Sequence, residues 1–292
     1  PDPELLARLA RHPAVASAEP NTILSLCEDG PPLFPNDFYF TELWNLHNPG
    51  ANGGTAGADV RAPQAWAVTT GDESVTVAVI DTGIDFFHPD LEANIWNNHA
   101  EIPGNGIDDD HNGYVDDVHG YDFVNDDSDP MDDQLHGTHV AGTIGAVGNN
   151  ELGVCGLCWH VSLMAIKAFN ESGEGTLFDV LAAIRYAAGN GARVLNASWG
   201  QPDKSAALGA AIAEAHQRGL VIVAAAGNNR STTLSYPAAY PESVTVAATN
   251  NRDQRSLFSS YGPVVDLAAP GESVLSTVPD NRFDIASGTS MA

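Results

Sequence analysis

The stretch SVTVAVIDTG, residues 74–83, decides the fold. Residues 75–80 are apolar or β-branched without polar alternation, and the run stops at Asp81-Thr82-Gly83. A strand that is apolar on both faces must be covered on both, which is the habit of parallel sheets sandwiched between helices. Outward along the chain, similar runs occur at 162–169, 193–197, 220–226, 244–248 and 264–268. Ala-rich helical stretches lie between several of them, at 138–147, 177–189 and 204–218. The alternation predicts an α/β fold: three layers, a mostly parallel twisted sheet with helices on both faces. In such sheets the chemistry gathers beyond the carboxyl ends of the strands.

The residues just after each run are therefore the ones to inspect. Asp81 could orient a histidine, bind a metal, or be half of an aspartic pair that shares one proton between two acids. No second DTG or DSG occurs to complete such a pair. His136-Gly-Thr-His139 opens the first small-residue helix. Two histidines with Cys155 and Cys158 at CxxC spacing could build a tetrahedral zinc site. The same cysteines sit in the apolar stretch GVCGLCWHV, where thiols serve as small buried hydrophobes. Ser198-Trp199-Gly200 follows residues 193–197, and Gly227-Asn228 follows 220–226. Finally SGTSMA, 287–292, sets Ser290 among small residues that leave its hydroxyl open for attack.

The order Asp81, His136, Asn228, Ser290 resembles that of the subtilisin-like serine proteases, the subtilases. The likeness runs over residues 35–292 and rests on five segments: VAVIDTGIDFFHPDL, HGTHVAGTIGAVGNN, NASWG, AAAGN and SGTSMA. It implies a serine endopeptidase with Asp81, His136 and Ser290 as the triad and Asn228 in the oxyanion hole. It further implies that Ser198, Trp199, Gly200, Ala225, Ala226 and Gly227 flank a roomy, mostly apolar specificity pocket for protein or peptide substrates. Residues 1–28 resemble the C-terminal part of a propeptide, which would act as intramolecular inhibitor. Residues 29–58 read as a linker and mature N-terminal arm, and 59–292 as a peptidase domain cut just after the nucleophile. The protein is expected to be secreted and monomeric. Two departures from the family favour the alternative of an inactive fragment or pseudoenzyme. Leu135 stands where the family usually carries Gly, and only two residues follow Ser290.

Charge narrows the partners. Twelve Lys and Arg against 38 Asp and Glu give a net −26, which argues against nucleic acid and anionic membranes. No apolar run approaches the roughly 18–20 residues that cross a bilayer. Three cysteines are too few for a disulfide framework. Residues 101–133 hold 12 of the acidic side chains and no Lys or Arg. Within them Asp108, Asp110 and Asn112, with Gly113 at the sixth place, match the opening of a calcium loop. His119 stands where the loop's last carboxylate belongs, and Asp116 at the ninth place could compensate. The family resemblance implies a second calcium site on Asp90, Asn150 and the carbonyls of Leu152 and Val154. No organic cofactor is expected.

Overall fold

The computed structural model describes residues 31–233 and 235–292. The readings made on residues 1–28, the propeptide and Cys27 included, lie outside the described residues. From Pro31 the chain runs through two short 3-10 turns, Phe40–Glu42 and Ala51–Gly53. Phe40, Leu43 and Leu46 of this arm are buried, so it packs on the body as its aromatics suggested, although Phe38 stays exposed.

The elements then follow in order. Helix α1 is Ala62–Trp66, β1 is Gly71–Asp81 and β2 is Gly120–Asp122. Helix α2 is His136–Gly145, β3 is His160–Lys167, α3 is Leu177–Gly189 and β4 is Val194–Ala197. Helix α4 is Ala206–Gln217, followed by β5, Val221–Ala225, β6, Ser243–Thr249, and β7, Leu267–Pro270. A hairpin of β8, Val274–Val278, and β9, Arg282–Ala286, closes the described chain. The long sheet is parallel throughout, in the order β2-β3-β1-β4-β5-β6-β7.

Alternation along β1 divides the core between two faces. Ala78 and Ile80 pack with Met164, Ile166, Val180, Ile184 and Ile212, on the side of α3 and α4. Val77 and Val79 pack with Leu163, Val140, Ala141 and Trp66, on the side of α1 and α2. Each fully buried Ile contributes roughly 1.5–3 kcal/mol. That two-sided burial is why residues 77–80 carry no polar alternation, while Val75 before them is exposed.

Local signals start the two outer helices. Thr176 Oγ1 accepts the Asp179 amide at the head of α3, and Ser205 Oγ accepts the Leu208 amide at the head of α4. Strand order reverses direction around β1, whose neighbours are β3 and β4. A crevice outside the carboxyl end of β1 follows from that topology. The β8–β9 hairpin, which lacks a strong apolar run, was not visible in the sequence. It lies against α2, where Ser276 Oγ and Thr277 Oγ1 each donate 2.8 Å bonds to the carbonyls of His139 and Thr138.

Candidate active site

Asp81 is the last residue of β1 and His136 the first of α2. The imidazole Nδ1 lies 2.7 Å from Asp81 Oδ1. Asp81 is buried, and Oδ1 also accepts the Thr82 amide at 2.8 Å. A close approach makes the pairing possible. Gly137 packs so tightly on the strand end that an added Cβ would stand 2.0 Å from the Gly83 carbonyl oxygen. Burial pulls the His136 pKa down. The Asp81 charge, the hydrogen bond to it and the Asp132 charge together outweigh burial and leave the imidazole above its usual value. Leu135 projects outward, 41% exposed, and leaves the 2.7 Å bond intact.

Ser290 sits beside the loop after β4. Its Oγ donates to the Ser198 carbonyl at 3.2 Å, and Ser198 Oγ donates to the Ser290 carbonyl at 3.2 Å. Asn228 turns its carbonyl oxygen to Thr289, accepting the amide at 3.0 Å and the hydroxyl at 3.1 Å. Its NH₂ group makes no hydrogen bond among the described residues. A point one Cβ bond from Gly288 is 3.6 Å from both Asn228 Nδ2 and the Ser290 amide nitrogen, so the two donors border one small space.

A cavity of about 270 Å³ joins Asp81, Thr82 and His136 to Ser198, Trp199 and Gly200, with Phe169, Gly173 and Gln134 completing its wall. Phe169 and Trp199 face each other with ring centroids 5.8 Å apart, so two of the walls are aromatic. Ala225, Ala226 and Gly227 do not line this cavity. They run beside the serine loop, where the Gly227 amide donates to Thr289 Oγ1 at 3.0 Å. Sequence reasoning missed Phe169, Gly173 and Gln134, because nothing local marks a residue as facing a cleft.

The acidic segment differs from its expected ligand set. Asp108 accepts the amides of Asn112 and Gly113, and Asp116 those of Asn105 and Gly106, and neither belongs to the group of carboxylates that converges. The carboxylates that converge are Glu101, Asp110 and Asp117, with ligand oxygens within 4.8 Å of one another. Asn112 donates into this group, 3.2 Å to Asp110 and 3.0 Å to Asp117. Asp117 is fully buried; burial raises its carboxyl pKa, opposed by bonds from Tyr186, Asn112 and Asn98. Glu101 and Asp117 escaped the sequence reading because they flank the Asp108–Gly113 pattern.

The second expected set is partly brought together. Asp90 is fully buried and accepts Asn150 Nδ2 at 2.7 Å and the Val154 amide at 2.8 Å. The Leu152 carbonyl accepts the Phe38 amide at 2.7 Å. Asp37, from the N-terminal arm, joins them. Its Oδ2 accepts the Asn149 amide at 2.7 Å, while its buried Oδ1 has no hydrogen-bond partner among the described residues. Burial, with the nearby Asp90 charge adding to it, pushes the Asp37 carboxyl up to about 6.

The two cysteines lie as small hydrophobes: Cys155 is in the core, and burial raises both thiols' pKa. His139 bonds the Val274 carbonyl at 3.1 Å within the core, and burial lowers its pKa to about 4. Neither arrangement carries the zinc alternative.

A parallel sheet covered on both faces, a buried Asp81 paired with His136 at the end of the interior strand β1, and a serine loop beside the wall of the same cavity define the subtilisin-like class. The chain belongs to the Subtilase family, whose pattern residues 72–292 match. It is 38% identical over 284 residues to the thermophilic serine proteinase of Bacillus sp. (strain AK1), covering 97% of this chain and 62% of that protein. It is 38% identical over 258 residues to thermitase of Thermoactinomyces vulgaris, covering 88% of this chain and 81% of thermitase. Among solved structures, a cold adapted subtilisin-like serine proteinase matches with a TM-score of 0.59 and 34% identity, over 75% of this chain and 71% of that one. The chain thus spans under two thirds of the first of these relatives.

Proposed function

We propose that the protein is a serine endopeptidase that cleaves peptide bonds in protein substrates through Asp81, His136 and Ser290. The observation that carries the reading is the 2.7 Å bond from the half-buried His136 to the buried Asp81, opening onto the cavity walled by Ser198–Gly200. Ser290 Oγ exchanges the Ser198 carbonyl for the imidazole and attacks the scissile carbonyl carbon. His136 Nε2 takes the hydroxyl proton as the new C–O bond forms. The carbonyl π electrons move onto oxygen, where the Asn228 NH₂ group and the Ser290 amide donate to the negative charge. Collapse breaks the C–N bond, and His136 returns the proton to the leaving amine. Water then repeats the sequence on the acyl-enzyme. Asp81 holds Nδ1–H and stabilises the imidazolium without taking the proton itself. An extended substrate would lie along the loop after β4, with a side chain in the cavity that Phe169 and Trp199 help to wall.

Calcium is the cation both acidic groups suit, being hard and oxygen-seeking. Glu101, Asp110 and Asp117 would hold one ion. Asp37, Asp90 and Asn150 would hold another, and the unpartnered buried Asp37 Oδ1 is the atom that most needs it. When bound, calcium supplies positive charge that offsets repulsion between buried carboxylates, and it takes no part in the bond-breaking steps. By the same family reading, the protein acts outside the cell as a monomer, with residues 1–28 as its inhibitory propeptide. Among the described residues no helix is long and apolar enough to cross a membrane.

The test is labelling with a fluorophosphonate, together with hydrolysis of a peptide p-nitroanilide. Labelling at Ser290, lost with hydrolysis in Ser290→Ala, is expected. A folded parent chain that neither labels nor hydrolyses would sink the reading.

A further inference from the structure

Two adjacent carboxylates on the loop before α2, Asp132 and Asp133, take no part in the steps above, yet both lead to Thr82. Asp132 is buried and accepts four bonds. Its Oδ1 takes Thr82 Oγ1 and the Gln134 amide, each at 2.9 Å. Its Oδ2 takes the Thr138 amide at 2.9 Å and Thr138 Oγ1 at 2.6 Å. A hydroxyl has one proton to give. Both threonines spend theirs on Asp132, so each hydroxyl oxygen can only accept from anything else. Thr82 Oγ1 accepts the Gly137 amide at 3.0 Å, and Thr138 Oγ1 accepts the Asp85 amide at 3.0 Å. One acceptor-only carboxylate therefore sets the direction of the whole network.

Asp133 acts from the other side through Lys167, the last residue of β3, which pairs with Asp81 in the sheet register. Lys167 is 1% exposed and has three protons to place. They go to Asp133 Oδ1 at 2.7 Å, the Thr82 carbonyl at 2.9 Å and the Phe169 carbonyl at 3.1 Å. A buried ammonium stripped of its carboxylate is strongly destabilising.

Thr82 matters because Asp81 has little else to hold it. Its Oδ1 is shared by the Thr82 amide and His136, and its buried Oδ2 has no hydrogen-bond partner among the described residues. The first turn of α2 likewise hangs from this network. The Gly137 amide goes to Thr82 and the Thr138 amide to Asp132, two of the four amides a helix start leaves without partners.

We propose that Asp132 and the Asp133–Lys167 pair are positioning residues, which grip Thr82 by its hydroxyl and its carbonyl and so keep the Asp81 carboxylate and the His136 imidazole aligned. The inference rests on His136 being the general base. Asp132 also places a second buried negative charge near the imidazolium, at the positive end of α2. The titratable groups packed around that imidazole are Asp81 from β1, Asp132 from the loop and His139 from α2 itself. Lys167 and Asp133 lie beyond Thr82.

The experiment compares Asp132→Asn, Asp133→Asn, Thr82→Val and Thr82→Ser. It measures kcat and KM on a peptide p-nitroanilide, the melting temperature, and the His136 titration by NMR. In Asp132→Asn, kcat should fall about tenfold with KM within about twofold, as expected of a small misalignment, and His136 should titrate at lower pH. Thr82→Val should lose kcat similarly and Thr82→Ser should restore it. Asp133→Asn leaves the buried Lys167 ammonium with its two carbonyl acceptors and no carboxylate, so it should lower both kcat and the melting temperature. A folded Asp132→Asn with unchanged kcat and unchanged His136 titration overturns the proposal. If that variant does not fold, equal kcat in Thr82→Val and Thr82→Ser overturns it instead. A parent chain that folds but resists the fluorophosphonate overturns the peptidase reading alone, and the His136 titration still decides whether Asp132 acts on the imidazole.

Discussion

Replacing Gly137 with alanine tests the active-site geometry most directly. The added Cβ would stand 2.0 Å from the Gly83 carbonyl oxygen and 3.1 Å from the Asp81 Cβ. Ordinary contact begins near 3.4 Å, so the first turn of α2 must withdraw by about 1.4 Å. Neither neighbour can give way easily, because one is backbone and the other ends the central strand. His136 precedes Gly137 on the same turn, so its 2.7 Å bond to Asp81 would open to about 4 Å, beyond hydrogen-bond reach. A misplacement of that size costs about 10²-fold in rate. Overpacking of this kind also costs about 1–3 kcal/mol of stability. We expect kcat on a peptide p-nitroanilide to fall about 100-fold in Gly137→Ala, with KM within about threefold, since the wall formed by Ser198–Gly200 is untouched. Active-site titration with a fluorophosphonate separates slow enzyme from absent enzyme. A folded variant with near-parental kcat would refute the claim that this contact sets the Asp–His distance.

Three further outcomes follow from the same geometry. Because His136 is held above its usual 6.5, kcat/KM should rise with pH through an apparent pKa above about 6.5, and a limb centred below 6 would contradict this. The stability its raised pKa contributes is present at low pH and is lost as pH rises through the folded value. Chelation should lower the melting temperature at pH 8 more than at pH 5. The Asp37 carboxyl, raised to about 6, favours the cation-free fold below that pH, a contribution lost as pH rises through it. A melting temperature indifferent to chelator at pH 8 would reject both calcium sites. Finally, Leu135→Gly should leave kcat/KM within about twofold, because the exposed side chain lies outside the cavity.

What the sequence determined by itself was the sheet and its edge. Uninterrupted apolar runs can exist only between two covering layers, so the run 75–80 announced the central strand and placed Asp81 at its carboxyl end. Small-residue helices and the HGTH and SGTS segments were legible for the same reason: backbone close approach admits few residue types. The β8–β9 hairpin was not legible, because Arg282–Ala286 is mostly exposed and the role of Val274–Val278 lies in packing against α2. Nor were Asp37, Glu101, Asp117, Asp132 and Lys167. A lone carboxylate or ammonium looks the same in sequence whether it is solvated or buried. Only the tertiary structure decided which acids converge. It turned Asp108 and Asp116 onto their own loop amides and gathered Glu101, Asp110 and Asp117 instead. The physical reason is range. Strand and helix follow from neighbours a few residues apart, whereas the grip on Thr82 joins residues 82, 132 and 167, which only the folded sheet brings within hydrogen-bond distance.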